Sequence, residues 1–201
     1  MIGAAEAGDP GDIRAAAAGD HVAIRPAEAG DHVAIRPAEA DDFAAILALN
    51  AAWVHYTSPL DEAALGELHA QAAYHRVAEV DGCVAGFLLA VGPGQAYESP
   101  NYRWFAARSG DFLYIDRVVV DGAHQGTGIG GALYDDVADW AARHGVGRLV
   151  CEVNVEPPNP VSDAFHERRG FVEVGTQWVA GGTKRVSLRE LALGTGREAA
   201  T

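Results

Sequence analysis

Gly126, Gly128, Gly130 and Gly131 fall within six residues, behind the β-branched run Val118-Val119-Val120 and the short segment from Asp121 to Gln125. Ile129, Leu133, Val137 and Trp140 then recur at helical spacing, with Asp135, Asp136 and Asp139 between them. The pattern reads as strand, glycine loop and amphipathic helix. The chemistry open to such a loop is anion binding. The first N–H groups of a helix have no intrahelical partner, the helix dipole adds partial positive charge, and glycine lets a ligand come close to the backbone. Phosphate suits this arrangement.

Two kinds of phosphate ligand compete. Gly126, Gly128 and Gly131 satisfy G-x-G-x-x-G, and Glu152 stands 21 residues past Gly131, as a dinucleotide site would require. Three features speak against a nicotinamide dinucleotide. Five residues separate Val120 from Gly126, whereas the dinucleotide turn follows its strand tightly. The motif comes late in the chain, and the segment before it reads as a hairpin. No Gly-Lys-Ser/Thr follows, which excludes a P-loop. Gln125-Gly126-Thr127-Gly128-Ile129-Gly130 instead resembles the Gln/Arg-x-x-Gly-x-Gly/Ala loop of the GNAT superfamily of N-acetyltransferases. A second segment keeps the spacing of that superfamily's Asn-x-x-Ala-x-x-Leu/Phe-Tyr-x-x-x-Gly-Phe motif. Its residues are Asn159, Ser162, Phe165, His166, Gly170 and Phe171, with Ser162 for alanine and His166 for tyrosine. The resemblance runs from about Val33 to Leu191.

The resemblance implies an acetyl group moving from the acetyl-CoA thioester to a primary amine by direct attack in a ternary complex. Val118, Val119 and Val120 would pair with the pantetheine amides like a neighbouring strand. Gln125, Gly126, Thr127, Gly128, Ile129 and Gly130 would take the pyrophosphate, and Asn159 would bond the pantetheine arm. The amine must first lose a proton. At pH 7 this costs on the order of 4–5 kcal/mol for a lysine-like amine and about 1 for an α-amine. Asp116 and Glu152, each in an otherwise apolar strand, are the candidate bases. Asp116 also reads as an arginine's ion-pair partner, and Asn159 as a turn asparagine. Tyr114, a further candidate catalytic residue, shares one face of a regular strand with Asp116 and Val118, which turns Asp116 toward the cofactor; a bulge would upset that count. His166 stands at the motif's tyrosine position, which the resemblance implies protonates the thiolate or contacts its sulfur, and imidazole can do either near neutral pH. The missing tyrosine keeps a second class open, an acyl-CoA-binding module without chemistry. The histidines show no metal-ligand spacing. The acceptor is a small-molecule amine or a peptide amine.

These residues need elements to carry them. Asp41 or Asp42 caps a helix through about Trp53, and a second helix runs from Ser58 or Asp61 to about Ala72. Ala73–Val80 and Cys83–Val91 flank Asp81-Gly82, a strong hairpin signal. Gly92 to Asp111 is a 20-residue connection with a helix start at Ser99-Pro100. Its aromatics Tyr97, Tyr102, Trp104 and Phe105 form an expected substrate lid or else cover one end of the sheet. Strands follow over Phe112–Val120, Arg148–Val155, Phe171–Val174 and Lys184–Leu191, with a short helix over Val161–Arg169. The order β-α-α-β-β-β-α-β-α-β-β describes an α/β (α+β) fold. It predicts a mixed, mostly antiparallel sheet of about six to seven strands with helices on both faces, which is also the GNAT order.

The chain has 201 residues, 49% of them apolar, which is enough for one core. The acetyltransferase domain is expected over 30–191, between disordered tails at 1–29 and 192–201. Gly19–Ala29 is repeated letter for letter as Gly30–Ala40, and only one copy can form the first strand. The second is expected to do so, because it leads directly into the next helix. Formal charge is −13, and residues 1–42 hold nine acids against three arginines. Neither part is a basic nucleic-acid surface. The apolar runs fall short of a membrane span, and the start lacks a signal peptide's basic and apolar regions. Cys83 and Cys151 sit in apolar runs and are expected to be buried free thiols, so the expected compartment is cytoplasmic. A homodimer stays open.

Overall fold

The computed structural model describes residues 33–194. The first copy of the duplication, and most of both expected tails, lie outside the described residues. The elements are β1 (Ala34–Pro37), α1 (Phe43–Ala52), α2 (Glu62–Gln71), β2 (Ala72–Val80), β3 (Cys83–Val91), α3 (Pro100–Ala106) and β4 (Leu113–Val120). They continue with α4 (Ile129–Arg143), β5 (Arg148–Glu156), α5 (Pro160–Arg168), β6 (Val172–Val179) and β7 (Lys184–Ala192). The second copy of the duplication thus supplies β1.

The seven strands form one sheet in the order β1-β2-β3-β4-β5-β7-β6. Every neighbouring pair is antiparallel except β4 and β5. Such a sheet has no doubly wound core, which removes the structural basis of the dinucleotide reading. Helix α4 lays Ile129, Leu133, Tyr134 and Val137 on one face, where they meet Leu88, Leu113, Ile115 and Leu149. The opposite face carries α1, α2 and α3. There Ile46 and Leu65 pack on Val77 and Phe87, and Tyr102 and Phe105 on Tyr114, Val150 and Leu188.

Local chemistry sets the element ends. Asp61 accepts a 2.8 Å bond from the Ala64 N–H and starts α2. Asp81 and Gly82 have φ of 50° and 79°, the positive pair that a tight hairpin turn needs. Ser99 accepts from the Tyr102 N–H, and Pro100 opens α3 inside the long connection. The helix start expected at Ser99-Pro100 thus becomes α3, which the expected element order left out. Strand β6 is also longer than its expected span, because it pairs with β7 as far as Val179 opposite Lys184. Its Val172, Val174 and Trp178 stay exposed, so no burial pattern announced it. Ala192, expected in the tail, closes β7 opposite Arg148. Cys83 corrects another expectation. It is exposed because it opens β3 at the hairpin end, while Cys151 is buried. Among the described residues no helix is long and apolar enough to cross a membrane.

Two irregularities of β4 shape the centre of the molecule. First, β4 pairs with β5 only at Leu113 opposite Leu149 and Tyr114 opposite Val150. Beyond these the strands splay, and the β5-facing edge of Ile115–Val120 has no strand partner. Second, Leu89 pairs with Arg117 but Ala90 with Ile115, so Asp116 is the extra residue of a bulge. The bulge breaks the expected alternation. Val118 and Val120 pack on the α4 face with Ile115, whereas Tyr114 packs on the opposite one.

Candidate active site

The splay opens a cleft of about 410 Å³ that runs between β4 and β5. Tyr97, Tyr114, Asp116, Glu152, Tyr134 and His166 all line it.

The glycine loop follows the C-terminal end of β4 and the turn at Gly122–His124, and its residues are not among those lining the cleft. Gly126 and Gly128 have φ of +78° and +97°, the left-handed region that favours glycine, and a Cβ on either would meet no atom within 4 Å. Gly128 is the N-cap of α4 and offers no side chain to its first N–H groups. Asp121 caps the preceding turn at the Ala123 N–H, and the Thr127 hydroxyl bonds the His124 carbonyl at 2.7 Å. A 15-residue helix thus begins without a side-chain cap beside two glycines with open space around them, which fits a phosphate. Ile129 is buried and anchors this end of α4 in the core. Gly130 sits beside Phe165 and Val120, at 3.8 Å from where its Cβ would be. Gln125 closes the turn before the loop in extended conformation. Asn159 caps α5, its Oδ1 accepting from the Ser162 N–H at 3.2 Å, and it also lines the cleft.

The two candidate bases meet different surroundings. Asp116 bonds Arg117 Nε at 2.6 Å and accepts the Tyr97 hydroxyl. Arg117 in turn donates to Asn50 Oδ1 at 2.9 Å and Ser58 Oγ at 3.2 Å. Glu152 is only partly exposed to the cleft and accepts the Tyr114 hydroxyl at 2.7 Å. Burial pushes its carboxyl up to about 7, against the pull of the Tyr114 bond, and the nearby Asp116 charge adds to the rise. No cation lies within ion-pair distance of Glu152 among the described residues.

His166 is buried with both ring nitrogens engaged. Nδ1 is 2.7 Å from the Ser162 carbonyl, which can only accept, so Nδ1 carries the hydrogen. Nε2 then accepts the Tyr134 hydroxyl at 2.7 Å. Burial lowers the imidazole to about 4. Its one N–H is spent on backbone, so the geometry does not present His166 as the expected proton donor.

Of the four aromatics expected over the acceptor, only Tyr97 reaches the cleft. Tyr102 and Phe105 face the sheet, Tyr102 donating to the Gly92 carbonyl at 2.9 Å. Trp104 lies against Gly175 of β6 and under the Arg108 guanidinium, 3.4 Å from its ring centroid. One turn of helix distributes the three to different sides, and a run of aromatics in sequence carries no such information. Sequence reasoning also missed Tyr134, Arg117 and Asn101, all three of which line the cleft. Tyr134 and His166 are 32 residues apart, and only the packing of α4 on α5 joins them. No group of three or more histidine, cysteine or acidic side chains stands where a metal could bind, among the described residues.

The model of the acetyltransferase (GNAT) family matches residues 35–171. No curated protein matches the chain. Solved structures share the fold at low identity. The ribosomal-protein-S18-alanine N-acetyltransferase of Escherichia coli has a TM-score of 0.64 at 19% identity, covering 85% of this chain and 99% of its own. Ard1 from Thermoplasma volcanium has 0.65 at 17%, covering 80% and 97%. A phosphinothricin acetyltransferase from Sinorhizobium meliloti, solved with acetyl-CoA, has 0.63 at 20%, covering 84% and 92%.

Proposed function

Because the chain belongs to the GNAT acetyltransferase family, we propose that it transfers an acetyl group from acetyl-CoA to a primary amine, with Glu152 as the proton acceptor. The carrying observation is the Glu152 carboxyl, raised to about 7 in a cleft between splayed strands. A base poised near neutral pH combines a useful ionised fraction with the drive to take a proton. Acetyl-CoA, when bound, supplies the activated thioester. The α4 N-terminus and Gln125–Gly130 would hold its pyrophosphate, and the open edge of Val118–Val120 its amide groups. Fold relatives with acetyl-CoA bound support that choice of cosubstrate.

The residues then divide the work. Glu152, directly or through a water, removes the amine's proton so that the nitrogen lone pair can attack the thioester carbonyl. Tyr114 holds the Glu152 carboxylate, and Tyr97 and Arg117 hold Asp116 beside it. Tyr134 replaces His166 in the role next to the departing thiolate. Its hydroxyl rests on His166 Nε2, a neutral acceptor, and a charged thiolate is the stronger one. Burial raises the Tyr134 phenol well above its ordinary value, so it donates a hydrogen bond and the proton itself comes from solvent. His166 positions that hydroxyl. Replacing Tyr134 by Phe is expected to lower kcat by about 10²-fold, the scale of one lost donor to a developing anion, with the acetyl-CoA Kd unchanged. An unchanged kcat would remove Tyr134 from the mechanism.

The activity itself is tested by free-thiol release from acetyl-CoA in the presence of a panel of primary amines. Amine-dependent release is the expected result. Tight acetyl-CoA binding with no release for any amine would leave the binding-module reading in its place.

A further inference from the structure

The chain contains a single lysine, Lys184, and it lines the cleft. It opens β7 directly after the Gly181-Gly182 turn. Among the described residues it has no carboxylate partner and no side-chain hydrogen bond, whereas the other cations around it are matched. Arg117 is tied to Asp116 at 2.6 Å, and Arg185 lies 2.9 Å from Glu156. In a chain of net charge −13, a cation left without an acid at the cleft wall is conspicuous.

The register says how Lys184 stands to the proposed base. On the antiparallel β5–β7 pair, Glu152 lies opposite Leu188 and Asn154 opposite Val186. Opposed residues share a face, and side chains alternate with a period of two. Leu188, Val186 and Lys184 therefore point to the same side as Glu152 and Asn154. Lys184 is four residues along β7 from the partner of Glu152, roughly 13 Å at strand rise. The cleft floor thus has a carboxyl at one end and an ammonium at the other, with the Asn154 amide and the Val186 side chain between.

We propose that the acceptor is an extended amine carrying an anionic group, a carboxylate or phosphate, which Lys184 holds while the amine lies at Glu152. The identity of the amine end rests on the transferase reading above; the anion subsite stands on Lys184 and the register alone. That backbone separation favours a chain over a compact α-amino acid, whose two charges lie side by side. A peptide spans at most about 3.3–3.6 Å per residue, so a peptide acceptor would place its acid two or three residues after the reacting amine. A polyamine would instead bring a second cation against Lys184.

The test is binding first and turnover second. NMR titrations of the full chain with 4-aminobutyrate, 6-aminohexanoate and 8-aminooctanoate are compared with the diamines of matching length. The C-terminally amidated peptides Ala-Ala-Glu and Ala-Ala-Lys, which differ in charge only at the third side chain, separate a peptide source from a free small molecule. The longer amino acids and the acidic peptide should bind at least tenfold more tightly than their cationic counterparts, and K184E should reverse the order. In K184Q the preference should vanish, with KM for the anionic amines raised more than kcat is lowered. Equal binding of amino acids and diamines, or a preference that survives in K184Q, would overturn the subsite. So would a loss of acetyl-CoA affinity in K184Q, which would give Lys184 to the cofactor's phosphates. A Lys184-dependent preference without any acetyl transfer would keep the subsite and reject the transferase reading.

Discussion

Asp116 and Glu152 face one cleft from adjacent strands, and their surroundings differ. Asp116 is fully matched. It sits on a bulge, holds Arg117 at 2.6 Å and accepts the Tyr97 hydroxyl, while Arg117 is braced on Asn50 and Ser58. Glu152 has one tyrosine hydroxyl at 2.7 Å and no cation, so burial dominates and its carboxyl rises to about 7. An ion pair fixes a carboxylate in place. A carboxylate left without a counter-charge in a cleft gains a reason to accept a proton.

Substituting each acid with its amide is the strongest way to break this contrast. For a lysine-like acceptor, Glu152→Gln should lower kcat/KM by about 10²–10⁴-fold and erase the acidic limb near pH 7, leaving acetyl-CoA affinity in place. Asp116→Asn should change turnover less than about tenfold but strip the buried Arg117 of its counter-charge. A loss of about 3–5 kcal/mol in chemical denaturation is the expected scale. The stabilities should also part with pH. Glu152 has a folded pKa above its ordinary value of 4.5, so the folded state binds more protons between 4.5 and about 7. Its contribution is fully present below 4.5 and is lost as pH rises through 7. Glu152→Gln removes that loss, so it should gain stability over wild type at pH 8 and little at pH 4.5. A folded Asp116→Asn protein without turnover, beside an active Glu152→Gln, would reverse the assignment.

How much of this contrast was legible beforehand is itself a physical question. The strands, the hairpin at Asp81-Gly82, the glycine loop and the α4 stripe follow from periodicity and turn chemistry, which are local. Both acids also stood out locally, as charges in apolar runs. Their difference did not, because it depends on a bulge whose register is set by β3 and on tyrosines reaching in from α3's approach and from β4. Tyr97 and Trp104 look alike in sequence; Tyr97 precedes α3 and reaches the cleft, while helix phase and Gly175, whose missing Cβ leaves room for the indole, send Trp104 to β6. His166 is the sharpest case. Its spacing singled out a residue that lines the cleft, but the direction of its N–H depends on Ser162 and Tyr134.

Tyr114→Phe makes the smallest change and asks the finest question. The ring fills the same buried space, so the cleft wall is kept, and only the hydroxyl that donates to Glu152 is lost. That bond favours the ionised carboxylate and therefore holds its pKa down against burial. A net hydrogen bond contributes about 1 kcal/mol, and one pKa step corresponds to about 1.4, so the shift should be upward and below one unit. In the kcat profile the acidic limb should move to higher pH by that amount. Turnover should drop up to several-fold at pH 7, where the base becomes more protonated, and converge on wild type at pH 9. A limb that stays put, or moves to lower pH, would mean that the titrating base is not Glu152. The contrast with Asp116 would then need another group to carry the proton.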